Sequence, residues 1–435
     1  MTHTNDFHKT LKQVSRFLPW LIWLLAVFFY GYEFIQRVSM SVYIPAMMHD
    51  LNLDATAAGL LGGSFYYAYA IMQLPVGLIT DRFGPKYPAL AGLGLMIFGT
   101  FLMSSIHSLH IGLIARFLVG MGGAFAFICT MQFIILWFPR ERFAGLAGLT
   151  NFMGYIGASI GVAPIAFLSN AYGWRTTLMF TGVLGILIFI GIAIFVQRKA
   201  NHLECDGLPR PEKSALKNLG RTMKKPINWV NGLYCTLTVG PTSAFAALWG
   251  VKFLTQSYDI TSTEAASALT AVFLGVAVGS PLIGWISDRV GKRRLFLVLS
   301  ALISCATTLT LILMHNLPLI AIQTLCFVFG FMQSVHVLCF ANSRDYNVDH
   351  AASAIAFTNM ALILGGAILQ PLIGFLQDHI GHIFNLVQTH AHQVSALEYA
   401  LLIIPLCQFI AALLAFFSAK DYKIHQGLFP VILSS

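Results

Sequence analysis

In a chain of 435 residues, 57% are hydrophobic and only 10% charged, where a soluble protein carries roughly 25% charged residues. No soluble domain of this length could bury so much apolar surface, so the composition excludes a soluble fold and calls for a membrane. The net charge of +9 would suit a nucleic-acid partner if it were clustered, but its spacing along the chain follows the membrane instead.

The first 18 residues are polar and basic, and the apolar run behind them is too long for a signal-peptide core, so it reads as a retained span. Twelve runs near the roughly 20 residues needed to cross a bilayer follow at 19–46, 56–79, 87–106, 109–138, 143–169, 176–197, 228–257, 262–286, 294–314, 317–343, 350–377 and 397–419. Glu33 and Arg37 fall near the middle of the first run, one helical turn apart. A charge at the bilayer centre costs roughly 2.5–3.5 kcal/mol on insertion scales, so such residues face a polar cavity or each other. Glu before Arg at this spacing suits pairing. One reading is a permanent structural ion pair. The other is a coupling site, in which Arg37 holds a substrate carboxylate or phosphate while Glu33, released from its partner, binds a proton.

Between the second and third runs stands Gly77-Leu78-Ile79-Thr80-Asp81-Arg82-Phe83-Gly84-Pro85-Lys86. It returns 207 residues later as Gly284-Trp285-Ile286-Ser287-Asp288-Arg289-Val290-Gly291-Lys292-Arg293-Arg294, between the eighth and ninth runs. Ala166, Asn170 and Gly173 keep its spacing faintly after the fifth run, and Gly374, Asp378 and Gly381 after the eleventh. The polar stretch at 198–227 divides the chain into halves at 1–197 and 228–435, and each half divides again into two three-helix units of opposite orientation. Inverted units inside parallel halves, arranged around a central cavity, are a transporter architecture.

With the N-terminus in the cytoplasm, all of the 26 Lys and Arg residues except Arg37, Arg116, Arg175 and Lys252 fall on the cytoplasmic side. That is the positive-inside asymmetry, and it predicts a multi-pass protein of a bacterial inner membrane with both termini cytoplasmic. It also accounts for the charge without nucleic acid. Lys252, towards the outer end of the seventh run, is expected to snorkel to the surface. The seven Cys residues form no Cys-x2-Cys pair and read as packing residues. His379, His382, His390 and His392 crowd the last outer loop, but no acid or Cys supports a metal there, and the loop reads as solvated. No cofactor is expected, and neither an enzyme signature nor a sizeable soluble domain is present. The expected partners are a small-molecule substrate, protons and membrane lipid, with the chain working as a monomer.

The repeated Gly-x3-Asp-Arg-x-Gly-x-Lys signature resembles the loop of the major facilitator superfamily, and Arg116-Phe117-Leu118-Val119-Gly120-Met121-Gly122 resembles its helix-4 motif. The resemblance covers the whole chain and implies an all-α fold of twelve transmembrane helices in two six-helix bundles. Tyr32 through Met47 is similar to the first helix of two groups: the phagosomal nutrient transporters of intracellular bacteria, which take up amino acids and nucleosides, and the organic anion:cation symporters, which take up sugar acids. The second group has Asp-Arg where this chain has Gln36-Arg37, and a helix-4 acid where it has Gly123. The first group is therefore favoured.

Physical reading and resemblance together assign Asp81 and Asp288, with Arg82, Lys86, Arg289 and Lys292, to gating: a carboxylate at a helix end can cap the N-terminus of a helix in the other half. The resemblance gives Arg116 a place in the proton relay; a bond to a backbone carbonyl is the alternative. It also puts helices 1, 4, 7 and 10 around the cavity, with helices 2, 5, 8 and 11 beside them, so Arg37, Tyr30, Tyr66, Tyr67, Gln132, Asn151, Tyr155, Trp249, Gln333, His336 and Asn359 become candidate substrate contacts. Gly145, Gly148, Gly154, Gly157 and Gly161 predict close packing of the fifth helix. That helix lacks the Gly-Pro-x2-Gly-Gly pattern of drug-exporting antiporters, which favours uptake. The expected function is proton-coupled import of an amino acid or similar small polar nutrient. The alternative is a carrier, in either direction, for a carboxylate-type siderophore or other organic anion.

Overall fold

A computed structural model describes residues 2–196, 215–347, 351–387 and 396–418, apart from the side chains of some, Asp81 and Asp288 among them. The N-terminal bundle comprises α1 (Thr2–Val38), α2 (Met40–Asp50), α3 (Ala55–Phe83), α4 (Lys86–Ser104), α5 (Leu109–Trp137), α6 (Arg140–Ile160), α7 (Ala163–Tyr172) and α8 (Trp174–Phe195). A short α9 (Ala215–Met223) occupies the end of the predicted linker, whose residues 197–214 lie outside the described ones. The C-terminal bundle comprises α10 (Pro226–Ala244), a π-helical turn (Phe245–Trp249), α11 (Gly250–Tyr258), α12 (Ser262–Val290), α13 (Arg293–Leu313), α14 (Leu319–Gln333), α15 (His336–Tyr346), α16 (Ala351–Val387), α17 (Ala396–Leu401) and α18 (Ile403–Ser418). Ten described helical stretches are long and apolar enough to cross a membrane; α3 and the run from α10 to α11 complete the twelve. The molecule is a multi-pass, all-helical membrane protein of two six-helix bundles.

Several predicted runs are broken rods, and proline explains two of the breaks. A proline cannot donate to the carbonyl four residues earlier, and its ring crowds that carbonyl. Pro164 strips the donor from Ile160, where α6 ends, and Pro405 does the same to Leu401, where α17 ends. The first span breaks at Ser39, where Ser41 returns its hydroxyl to the Val38 carbonyl at 2.9 Å. The seventh widens into the π-helical turn just past Pro241.

The two halves repeat each other in their tightest crossings. Gly157 of α6 packs on Gly31 of α1, and Gly365 of α16 on Gly240 of α10; a Cβ at Gly157 would lie 2.6 Å from the Gly31 carbonyl oxygen. Gly154 and Gly161 also pack on α1, against Tyr30, Phe34 and Ile35, whereas Gly145 and Gly148 meet nothing within 4 Å. The predicted close packing of the fifth span thus holds for its latter half. Between the bundles, α3 runs along α16 and α6 along α12.

Candidate functional site

Helix α1 carries Glu33 and Arg37 into the middle of the N-terminal bundle. Arg37 Nε donates to Glu33 Oε1 at 2.8 Å and Nη2 lies 2.6 Å from the same oxygen. The Glu33 side chain is 0% exposed and that of Arg37 14%. A carboxylate so dry is tolerable only with a cation beside it, and removing either partner would strand the other. The guanidinium lies over three aromatic rings, with centroids 4.7 Å away for Phe34, 4.9 Å for Tyr69 and 5.7 Å for Phe65. Ring faces stabilise the cation without themselves consuming N–H donors; Nε and Nη2 are engaged by Glu33.

Arg116 of α5 donates from Nη1 to the Gln36 carbonyl at 2.7 Å and from Nη2 to the Arg37 carbonyl at 3.0 Å, and its guanidinium lies 4.7 Å from the Phe65 centroid. These carbonyls belong to the last turn of α1, which the break at Ser39 leaves without ordinary helical partners. A backbone bond is thus what Arg116 makes; both its terminal nitrogens serve the first span. Its Nε, like Glu33 Oε2, is buried without a hydrogen-bond partner among the described residues. Gly123 of α5 faces the pair directly: a Cβ there would stand 3.0 Å from Glu33 Cγ and 3.6 Å from Oε1. The carboxylate of Glu33, from the neighbouring helix, thus occupies the space beside Gly123.

Around the pair, Tyr30 packs edge-on to Phe34 with centroids 5.0 Å apart, and its hydroxyl donates to Asn151 Oδ1 at 3.4 Å. Tyr155 packs on Phe34 at 5.4 Å, and its hydroxyl lies 3.5 Å from His336 Nε2 in the other bundle. Since His336 Nδ1 is 2.9 Å from the Gln333 carbonyl and must donate to it, neutral His336 presents a bare Nε2 to Tyr155. Tyr66 is buried beside Phe65. Glu33, Arg37, Arg116, Tyr30, Tyr66, Asn151, Tyr155 and His336 therefore converge on one region. Sequence reasoning missed Phe65, Tyr69 and Gln73, although Tyr66 and Tyr69 share a face of α3 at helical spacing; the Tyr69 hydroxyl lies beside Arg37 and Gln73.

Asn359 joins the same region through Gln73, to which it donates at 3.2 Å across the bundles, nearer the face that carries α9. Other predicted contacts are less direct. Gln132 is half-buried further along α5 than Gly123, and Gln333 is buried on α14. Trp249 is fully buried with its indole N–H donated to the Gln370 carbonyl at 3.0 Å. Tyr67 points out of the bundle, in a surface groove with Leu60, Leu113 and Phe117. Lys252 does not snorkel: it is 9% exposed, with Nζ 3.5 Å from Met48 Sδ and 5.5 Å from the Trp249 ring. The span is broken below it by the π-helical turn, and the α2 segment covers it.

Of the gating residues, the Asp81 and Asp288 side chains lie outside the described residues. Arg82 rests on the Phe83 ring at 5.3 Å and Arg289 on the Trp285 ring at 3.9 Å, while Lys86 donates to the Ala193 carbonyl at 3.0 Å at the end of α8. Lys292 is exposed ahead of α13. Of the histidines expected in the last outer loop, His379 and His382 instead lie within α16, which continues to Val387, with His379 stacked on Phe375; His390 and His392 lie outside the described residues.

Comparison with known proteins agrees with this fold. An uncharacterized transporter of Bacillus subtilis, YybO, is 28% identical over 60% of the chain, and the match spans 63% of that relative's length, just under two thirds. A probable L-galactonate transporter of Escherichia coli is 26% identical over 85% of the chain and 84% of its own length. Among solved structures, a bacterial homologue of the human lysosomal transporter Spinster, in an inward-facing and unoccupied conformation, superposes with a TM-score of 0.79 at 16% identity over 92% of the chain and 97% of its own; at that identity the likeness speaks for the fold alone. The family model of the Major Facilitator Superfamily matches residues 22–251 and 233–427, spanning both bundles. The chain belongs to the Major Facilitator Superfamily, and is a transporter rather than an enzyme.

Proposed function

We propose that the protein is a proton-coupled carrier that imports a small organic anion by alternating access, with Arg37 as the anion's partner and Glu33 as the proton carrier. The carrying observation is the charge of the site: among the described residues two guanidiniums, Arg37 and Arg116, act on one carboxylate, that of Glu33. One positive charge in excess favours an anion over the zwitterion of an amino acid, whose ammonium would compete with Arg37 for that carboxylate. The name of the Escherichia coli relative, a sugar-acid transporter, supports the same preference. So does the space at Gly123, which lets Glu33 stand beside the position where the symporters of organic anions keep an acid.

In this reading the substrate carboxylate takes the Arg37 N–H donors. Glu33 then loses its counter-charge in a dry setting, where an isolated carboxylate is costly, and takes up a proton. Anion and proton enter together and leave together. The positive-inside distribution supports a bacterial inner membrane as the location, with the termini and α9 on the cytoplasmic side.

The test uses Glu33→Gln in proteoliposomes, with L-galactonate and a set of amino acids as labelled substrates. Wild type is expected to accumulate the sugar acid down an imposed proton gradient. The variant should lose accumulation by at least about tenfold, yet keep exchange of substrate across the membrane, since the neutral side chain mimics the protonated form. Retained proton-driven accumulation by Glu33→Gln would overturn the coupling role. Accumulation of amino acids in place of the sugar acid would overturn the substrate class.

A further inference from the structure

The fourth, faded copy of the repeated motif makes a contact between the bundles. Asp378 of α16 reaches the start of α3 and accepts from the Ala55 amide at 3.1 Å, the Thr56 amide at 2.7 Å and the Thr56 hydroxyl at 2.6 Å. The next free amide, that of Ala57, is taken by Asp54 at 2.7 Å. The first three donors of α3, which its own helix cannot satisfy, are thus shared between a local cap and a carboxylate from the opposite bundle. Gly374, the first glycine of the same motif copy, lets α16 lie against the Ala55 carbonyl, where a Cβ would have no room. The third copy does something parallel: Asn170, at the end of α7, donates to Thr263 Oγ1 in the first turn of α12 at 3.1 Å. Both contacts lie on the face opposite α9, and beside them Lys252 is buried under Met48 of α2.

We propose that Asp378 is the positioning residue of a latch that shuts the face opposite α9, and that Asn170 is its weaker counterpart. The contact can exist only while the ends of α3 and α16 touch. An ionised carboxylate on two backbone amides at a helix N-terminus is a charge-assisted cap, which parting the bundles must break. The faded copies are therefore not decayed loops: they act on the far face as the intact copies are placed to act on the face of α9. The inverted repeat supplies each face with its own fastening, and alternating access trades one for the other. This goes beyond the coupling scheme of Glu33 and Arg37 and stands whatever the substrate.

The test measures the distance between spin labels on full-length protein in nanodiscs, without substrate. Labels are placed at His107→Cys and Asn316→Cys, exposed loop positions of the two bundles on the latched face, in a Cys205→Ser background. Asp378→Asn keeps the side-chain shape but loses the charge, and should raise the population at longer distance about fivefold. Thr56→Val removes one of the three bonds and should raise it by a smaller factor. Asp81→Asn, at the repeat-related position on the other face, should lower it. Should Asp378→Asn lose its helical circular dichroism, Thr56→Val carries the test. An unchanged distance distribution in a folded Asp378→Asn or in Thr56→Val would overturn the latch, and so would a shift in the same direction for Asp378→Asn and Asp81→Asn. Because the readout needs no transport, failure here is distinct from failure of the Glu33 scheme.

Discussion

Glu33 and Arg37 share one face of α1, but the groups that make them a site come from α3 and α5: Phe65 and Tyr69 over the guanidinium, Arg116 beneath the backbone, and Gly123 leaving room for the carboxylate. Arg37→Lys keeps the charge yet should fail, since a compact ammonium can neither lie flat against three rings nor offer paired donors to a carboxylate. The expected outcome is a rise in KM for substrate of about tenfold or more with the fold intact, measured as uptake against a thermal-unfolding control. The pair itself was legible because charges in apolar runs are few and stand out. Its surroundings were not: Phe65 and Tyr69 look like ordinary core aromatics until α3 is laid across α1. Gly123 reads as a missing acid when seen in one dimension, and as room for an acid in three.

At the scale of the element, the repeated motif explains itself through its last glycine. Gly84 (φ 71°, ψ 170°) and Gly173 (φ 80°, ψ 158°) end their helices in a region nearly closed to other residues, and Gly291 (φ 69°, ψ 11°) ends its helix in the left-handed one. Gly381 breaks the pattern, for α16 runs straight through it. Alanine substitutions should therefore fall in order. Gly84→Ala and Gly173→Ala should destabilise by about 1–3 kcal/mol and Gly291→Ala by about 1 kcal/mol. Gly381→Ala should be neutral or stabilising by up to about 1 kcal/mol, with Ala396 Cβ no nearer than 3.9 Å to the added methyl. Thermal unfolding in one detergent ranks the four. Spacing in the sequence located all four copies, but it could not tell a stop from a continuation. The breaks at Ser39 and at the π-helical turn were equally hidden, since hydropathy is blind to how a span is bent.

For the whole molecule, the parallel halves and inverted units were legible because duplication leaves a period in the chain, and the glycine crossings of α1 with α6 and α10 with α16 show that period in packing. What the period could not convey is that its four copies are unequal. The N-terminus of α12 is already occupied by its own capping box, Thr261 with Glu264, so an amide at 170 suits it better than an acid would. Asn170→Asp should thus set two carboxylates against each other and, by the same spin-label pair, open the far face.

Arg116 deserves a mechanical reading as well. Its two bonds rivet the backbone of residues 36 and 37 to the fourth span, and a rivet made of charge in a dry medium does not slip. The ion pair therefore travels as fixed freight of its own half of the molecule. Whatever uncovers it to one compartment or the other must be the opposing half swinging past, much as a lock basin stays put while its doors change sides.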